Sequence, residues 1–475
     1  MIVIERSRLA FTDLRSFIAE LEKRGQLQKI AEPVDPRYEL AATLTKYDTG
    51  PAVLFENTKG HDMPVVAGIF SQRNMMACAL GTSERYLVRT MIDASQRPLP
   101  TKMVQTGPAK EVAIKQGIDV AKLLPVPTHY EFDAGPYITA GVIIARDPGT
   151  GVRNASYARI QVRGGDRLGI MINRWRHLWE MYEKAESKGE SLPIAVTIGA
   201  PPSVVIEGAM PGALVPITQD ELDTAGALMG QPLEVVECET VDLTVPAASE
   251  IVIEGEILPK IREPEGPFGD YAGVYDGILR PRLEPVIRVS AVTHRKRPIY
   301  HDILPSSEDH LLLGGVPREA ELHKTINQVF PRLKTVHLSK GGCRRFHAII
   351  QIEKRSEADP RTVMEAAFYP TEGSRDFKLV IVVDEDIDPF NMTDVEWALA
   401  TRVQANESIT VFSGAAGALD PSAIVSSPKS VFSPPENSGV IPTVLTTKMG
   451  IDATKSLRDP SILKIYDKLK TVAKP

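Results

Sequence analysis

Residues 263–275 read Glu-Pro-Glu-Gly-Pro-Phe-Gly-Asp-Tyr-Ala-Gly-Val-Tyr, and the Gly-Pro-Phe-Gly kernel at 266–269 cannot continue a helix. Gly266 and Gly269 are free to take positive φ, while Pro267 fixes its own φ and biases Gly266 towards extended geometry. The kernel therefore predicts a rigid, tightly turned loop that holds Glu265 and Asp270 at a defined separation. A solvated turn needs no such device. Two nearby carboxylates repel and drive their proton affinities apart, which is the usual arrangement of acid–base chemistry.

Around this loop, residues 111–300 have the texture of short strands with turn signals. Strand-like runs at 138–146 and 154–162 flank Asp147-Pro-Gly-Thr-Gly151, which reads as a hairpin connection. Further strands are predicted at 194–198, 233–236, 251–255 and 286–293, interrupted by helices at 176–188 and 219–230. An antiparallel, barrel-like core with inserted helices is the economical reading.

Upstream lies a small α/β unit. Its first helix carries Leu14, Phe17, Ile18 and Leu21 on one face, with Thr12 as the expected cap and Gly25 as the stop. Strands at 52–55 and 65–69 and a helix around 83–95 follow, and RPLP at 97–100 is a candidate boundary. Downstream, a helix expected to start at Pro317 leads into strands near 335–338, 346–351 and 379–383, with helices at 361–368 and 393–403. Such alternation predicts a parallel or mixed sheet with helices on its faces. Residues 426–442, rich in Ser and Pro, read as an extended strap.

Bulk properties exclude several classes. The 475 residues exceed one ordinary core, and 43 % hydrophobic with 24 % charged residues is a globular composition. With 55 basic and 61 acidic residues, a net charge of −6 and no Lys/Arg-rich run, nucleic acid is not an expected partner. Cys78, Cys238 and Cys343 are far apart without CxxC spacing, which fits reduced thiols. No signal h-region and no apolar run of about 18 residues is present, so no membrane partner and a cytoplasmic location are expected.

A second constellation precedes the loop: Asn154 and Arg159 five apart on a strand, then His177 at a helix start and Glu221 at the head of another helix. Strand alternation puts 154 and 159 on opposite faces unless a bend intervenes. Asn, His and a carboxylate together suit a hard or borderline divalent ion beside a phosphate. Taken singly, Glu221 is also the ordinary acid that a helix N-terminus favours, and Asn154 an ordinary turn residue.

Thr139, Asn154-Ala-Ser-Tyr-Ala-Arg159, His177, Glu221 and Glu265-Gly-Pro-Phe-Gly-Asp270, in this order, resemble the UbiD family of prenylated-flavin decarboxylases. AGALMG at 225–230, VDLTVPAASEIVIEG at 241–255 and the SPKS and TTKMGIDATK segments extend the likeness from about Phe11 to Lys455. The resemblance implies an α/β (α+β) chain of three parts. These are an N-terminal α/β domain (1–110), a central split β-barrel flavin-binding domain (111–310) and a C-terminal α/β oligomerisation domain (311–475). It implies prenylated FMN, with Mn2+ or another divalent ion and K+ at its phosphate. Asn154, His177 and Glu221 match the metal ligands; Thr139, Arg176, Met210, Pro211 and Lys448 match cofactor contacts. Arg159, Glu265 and Asp270 match the catalytic set, with Glu265 as proton donor to an adduct that has lost CO2.

Three departures qualify the likeness. Asp270 stands where some members have Glu, and Gly208-Ala209 replaces a serine pair. The interval from Met210 to Glu221 is long, so Asp220 or Asp223 remains an alternative ligand. Removing CO2 from an sp2 carbon needs an electron sink, which a cofactor supplies while the protein positions and polarises. The expected reaction is reversible decarboxylation of an aromatic, hydroxylated or heteroaromatic, or α,β-unsaturated acid. Arg174 and His310 are candidate pocket residues. Expected partners are the carboxylic acid, CO2, a flavin prenyltransferase as cofactor supplier, and further copies in a dimer or hexamer. The competing classes are a non-catalytic or partner-dependent subunit of an aromatic carboxylase, and a conventional flavin reductase. The absence of a G-x-G-x-x-G after a strand ranks the reductase lower.

Overall fold

A computed structural model describes residues 11–278, 281–369, 371, 374–417, 420–426 and 445–469. The chain divides into two compact units, Met1–Pro317 and Arg318–Pro475. Among the described residues no helix is long and apolar enough to cross a membrane.

The first unit opens with helix α1 (Leu14–Lys23), whose buried face is Leu14, Phe17, Ile18 and Leu21, and Gly25 follows at φ +68°. Its cap is Asp13, not Thr12: the Asp13 carboxylate accepts from the Ser16 N–H at 2.8 Å. A carboxylate one residue nearer the helix reaches that amide and also suits the dipole. Strands β1 (Leu27–Ile30), β2 (Ala52–Phe55) and β3 (Val65–Ala67) form a small mixed sheet with the late strand Tyr300–His301.

The central sheet decides the geometry of the site. Its strands are β4 (Tyr137–Ile138), β5 (Val142–Arg146), β6 (Arg153–Tyr157), β7 (Arg159–Val162) and β8 (Arg167–Met171). They are completed by β9 (Leu192–Ile198), β10 (Ile251–Glu265) and, after the short β11 (Phe268–Gly269) and β12 (Tyr275–Asp276), by β13 (Arg282–His294). The hydrogen-bonded order is β4-β7-β8-β13-β10-β9-β5-β6, antiparallel throughout, and a ninth strand, Val112–Ile114, pairs with β13 off this path. Strands β6 and β7 are separated by Ala158 alone, yet β6 closes one end of this order and β7 lies next to the other. One residue spans about 3.8 Å, so the sheet must curl until its two ends meet.

The run expected as a single strand over 154–162 is thus two strands, broken where the barrel turns its corner. The run 138–146 is likewise split, at Gly141, where a Cβ would lie 2.5 Å from Val196 Cγ1. Side chains Ile143, Ala145, Ile160, Val162, Leu168, Ile170, Ile194, Val196, Ile251, Ile253, Ile287, Val289 and Val292 share one core. The step from Val292 to Val289 breaks strict alternation because a bulge falls between Glu254 and Gly255, which pair with Ala291 and Val289 and skip Ser290. Helices α2 (His177–Ser187), α3 (Pro202–Glu207) and α4 (Glu221–Met229) are inserted between these strands.

Helix α5 (Glu308–Val329) starts nine residues before the expected Pro317, which lies inside it. Glu308 and Asp309 supply the acidic first turn that marks a helix start. In the second unit, β14 (Leu333–Leu338), β15 (His347–Ile352), β16 (Leu379–Asp384), β17 (Ile409–Ala416) and β18 (Leu445–Asp452) form a mixed sheet in the order β14-β15-β16-β18-β17. Alternate residues serve opposite cores. Ala348, Ile350, Val380 and Val382 pack with Val363 and Met364 of helix α6 (Asp359–Phe368), whereas Ile349, Ile381 and Val383 pack with Val395 and Ala398 of helix α7 (Met392–Arg402). Most of the Ser/Pro-rich strap, from residue 427, lies outside the described residues.

Candidate functional site

The 263–275 stretch is not a free loop. Glu265 ends β10, Gly266 takes φ +87°, and Phe268–Gly269 pairs with Tyr275–Asp276. Asp133 pins the turn from outside, its carboxylate accepting from Gly269 N at 2.8 Å and from Tyr130 N at 2.9 Å. The Ala134 N–H donates to the Pro267 carbonyl at 2.9 Å. Gly269 does not use positive φ as expected; it is needed for space, because a Cβ there would collide with the Tyr130 ring.

Three acids converge on Arg159. Its Nε and Nη2 donate to Glu265 at 2.9 and 2.7 Å, Nη1 donates to Asp270 at 3.0 Å, and Nη2 donates to Asp276 at 2.8 Å. The Arg159 side chain is 7 % exposed and that of Glu265 is 0 %, so these charge-assisted bonds are shielded from water. Phe268 lies beneath the guanidinium, its ring centre 4.9 Å from Cζ, and packs against the Tyr137 ring at 4.6 Å. Burial, then Glu265, pushes the Tyr137 hydroxyl up.

Asp276, Arg282 and Glu284 belong to this network although sequence reasoning did not single them out. Arg282 grips Asp276 with two bonds of 2.8 Å. Burial pushes Asp276 up, but Arg282 and Arg159 outweigh it and hold the carboxyl below its ordinary value. Burial raises Glu284 to about 7, with Arg282 opposing and Glu265 reinforcing. The signal that could have found Asp276 is the pairing of the kernel with Val274-Tyr-Asp276: a tight hairpin at 270–274 sets Asp276 opposite Phe268.

The second constellation also assembles. Asn154 on β6, Glu221 at the first turn of α4 and His177 at the start of α2 meet around the Glu221 carboxylate. Asn154 Nδ2 donates to Oε2 at 2.6 Å, the Ala155 N–H donates to the same oxygen at 2.5 Å, and His177 Nδ1 lies 3.4 Å from Oε1. Asp220 and Asp223 are engaged elsewhere. Asp220 caps α4 and pairs with Arg153 at 2.7 Å, and Asp223 accepts from the Thr101 N–H at 2.9 Å. An amide oxygen, an imidazole and a carboxylate are a donor set that fits a hard or borderline cation. Exchange of the Asn154 amide oxygen and nitrogen turns its present donor into a ligand.

The remaining candidates are more dispersed. Met210 and Pro211 are buried just beyond α3. Thr139 donates to Asp302 at 3.0 Å, and Asp302 in turn holds His129 Nε2 at 3.0 Å. Arg174 lies over the Trp179 ring at 4.8 Å, and Arg176 occupies the N-cap position of α2. His310 Nδ1 accepts from the Ser306 N–H at 3.1 Å, and its ring stands edge-on to Tyr271, the residue after Asp270, at 6.5 Å. Lys448 belongs to the second unit, where it donates to the Arg375 carbonyl at 3.3 Å and burial pushes it down to about 8.

Comparison with known proteins agrees over nearly the whole length. Three family models match in order: the 3-octaprenyl-4-hydroxybenzoate carboxy-lyase N-terminal domain at residues 18–95, its Rift-related domain at 102–308, and its C-terminal domain at 311–453. The chain is 37 % identical to anhydromevalonate phosphate decarboxylase of Methanothermobacter thermautotrophicus over 92 % of this chain and 96 % of that one. It is 33 % identical to gallate decarboxylase of Lactiplantibacillus plantarum over 78 % and 79 %. Among solved structures, an evolved dimeric form of the UbiD-class enzyme HmfF of Pelotomaculum thermopropionicum in complex with prFMN superposes with a TM-score of 0.85. That likeness is at 41 % identity and covers 97 % of both chains. With all three domain models matched in sequence order, the chain belongs to the UbiD family of carboxy-lyases.

Proposed function

We propose that the protein catalyses reversible, non-oxidative decarboxylation of an aromatic or α,β-unsaturated carboxylic acid with prenylated FMN as cofactor. The observation that carries this reading is the Arg159 hub, which joins Glu265, Asp270 and Asp276 on the kernel of a chain from a carboxy-lyase family. When bound, the prenylated flavin supplies the electron sink that loss of CO2 from an sp2 carbon requires. Every other task falls to side chains.

Asn154, His177 and Glu221 would hold a divalent cation such as Mn2+, whose charge would offset the repulsion between the carboxylate and a cofactor phosphate. K+ would add the further positive charge. Met210 and Pro211 would wall the cofactor, with Thr139 and Arg176 as further contacts; Lys448 is an anion contact of its own unit. Glu265, once it has taken up a proton, would be the proton donor to the carbon left behind, and its two bonds from Arg159 fix where the carboxyl group stands. Arg159 already serves three acids. To receive a substrate carboxylate it must release one, and Asp270, whose side chain is 16 % exposed against 0 % for Glu265, is the partner placed to give way. Arg174 and His310 are the pocket groups for a phenol or a second acid.

The test is mass spectrometry of the ligand released from protein co-produced with a flavin prenyltransferase, beside protein made without one. Prenylated FMN only in the first sample, together with CO2 release from an aromatic acid, is the expected result. Unmodified FMN in both samples overturns the reading in favour of a reductase. No flavin in either overturns it in favour of a non-catalytic subunit of a larger carboxylase.

A further inference from the structure

Glu207 has no task in the scheme above. It ends α3 in the run Pro-Ser-Val-Val-Ile-Glu207, is 1 % exposed, and neither of its carboxylate oxygens has a hydrogen-bond partner among the described residues. An ionised carboxylate left in that state costs on the order of several kcal/mol relative to water. The surroundings make it less favourable still, since the charges acting on Glu207 are those of Glu221 and Asp220, both negative.

The fold packs the helix that carries Glu207 against elements that carry the cation set. Helix α3 packs against both α4 and β6, the elements that carry Glu221 and Asn154, and the Tyr157 hydroxyl ties β6 to α3 by donating to the Val205 carbonyl at 3.2 Å. Glu221 is satisfied by Asn154 and the Ala155 N–H, whereas Glu207 is not. Gly208, which follows, adds no side-chain oxygen, and a Cβ there would sit 3.1 Å from Val142 Cγ1 and 3.3 Å from Tyr157 Cε2, so a larger residue would need its neighbours to shift. With Glu207 and Glu221 the site carries two negative charges. A divalent ion alone neutralises those, and holding a phosphate beside it calls for a further cation.

We propose that Glu207 is an additional ligand of this site, binding a hard cation that it shares with Glu221. The inference rests on the cation reading of Asn154, His177 and Glu221 given above, and adds to it a fourth side chain, the Glu207 carboxylate.

The test measures Mn2+ binding by the full chain, stripped with chelator, from the electron paramagnetic resonance signal of free Mn2+. Titrations are made in potassium chloride and in tetramethylammonium chloride for the wild type, Glu207→Gln, Glu207→Asp and Glu221→Gln. Glu207→Gln is expected to weaken Mn2+ binding at least tenfold in potassium chloride, with partial recovery in Glu207→Asp. If K+ is the ion on Glu207, wild-type affinity rises with K+ and that of Glu207→Gln does not; if Mn2+ itself is bound there, the loss is equal in both salts. An unchanged Kd and unchanged salt response in Glu207→Gln, with Glu221→Gln weakened, overturns the proposal and leaves the three-ligand reading intact. Unchanged binding in Glu221→Gln as well overturns both. Should Glu207→Gln fail to fold, judged by circular dichroism, Glu207→Asp carries the same comparison.

Discussion

Glu284 offers a prediction whose size follows from the structure. It lies on β13 opposite Glu263, is 7 % exposed, and titrates at about 7 because burial, then the Glu265 charge, outweighs the opposing Arg282. In the unfolded chain its ordinary value is 4.5. Between these two values the folded protein holds a proton that the unfolded chain has lost, so folding stability from this group falls as pH rises through the window. The penalty is absent below the lower value and complete above the upper one. At about 1.4 kcal/mol per unit, the gap corresponds to about 3 kcal/mol, of which about 2.5 kcal/mol develops between about pH 5 and about pH 8.5. Glu284→Gln preserves shape and removes the charge at every pH. For a unit of this size, with an unfolding entropy of about 2 cal/mol/K per residue, the variant's Tm should gain about 4 °C on the wild type over that pH range. Scanning calorimetry of both proteins at one scan rate measures it. Parallel Tm–pH curves for the two proteins would refute the argument that Glu284 is neutral in the fold at low pH and penalised at high pH.

Other outcomes follow from the same geometry. Glu265→Gln should keep cofactor and metal but lose roughly 10²–10⁴ in turnover, the range of a positioned general acid, and near-normal turnover would remove Glu265 from its assigned role. Gly269→Ala should drive the Tyr130 ring away and destabilise the unit by about 1–3 kcal/mol, read as a lower Tm; an unchanged Tm would mean that the turn is not packed as described. His310→Ala should alter the ranking of aromatic acids by kcat/KM, and an identical ranking would remove His310 from the pocket.

Local chemistry made much of this legible in the sequence. The apolar stripe of α1, the hairpin at 147–151 and the short apolar runs of β15 and β16 follow from side-chain character and turn residues, which act over a few positions. The kernel at 266–269 was readable for the same reason, because proline and glycine restrict or free the backbone where they stand. Local signals also misled. Asp13 displaced Thr12 as cap, and Pro317 sits within a helix that the acidic Glu308-Asp309 turn had already started. The continuous strand-like run through Ala158 concealed a corner.

The sequence by itself determined which chemistry was available: two acids held by a rigid kernel, an arginine, and an Asn, a His and a Glu in family order. Tertiary structure decided which of these groups meet. Curling of the central sheet moves the chain from β6 to β7 across Ala158, so Asn154 meets Glu221 while Arg159 meets the acids of the kernel. The same packing brings Asp276 to Arg159, Arg282 to Asp276, and Glu284 into the field of these charges. The physical reason is that spacing along a chain fixes side-chain direction over only a few residues. The field that a buried charge feels is set by whatever the fold packs around it, from 100 residues away as readily as from five.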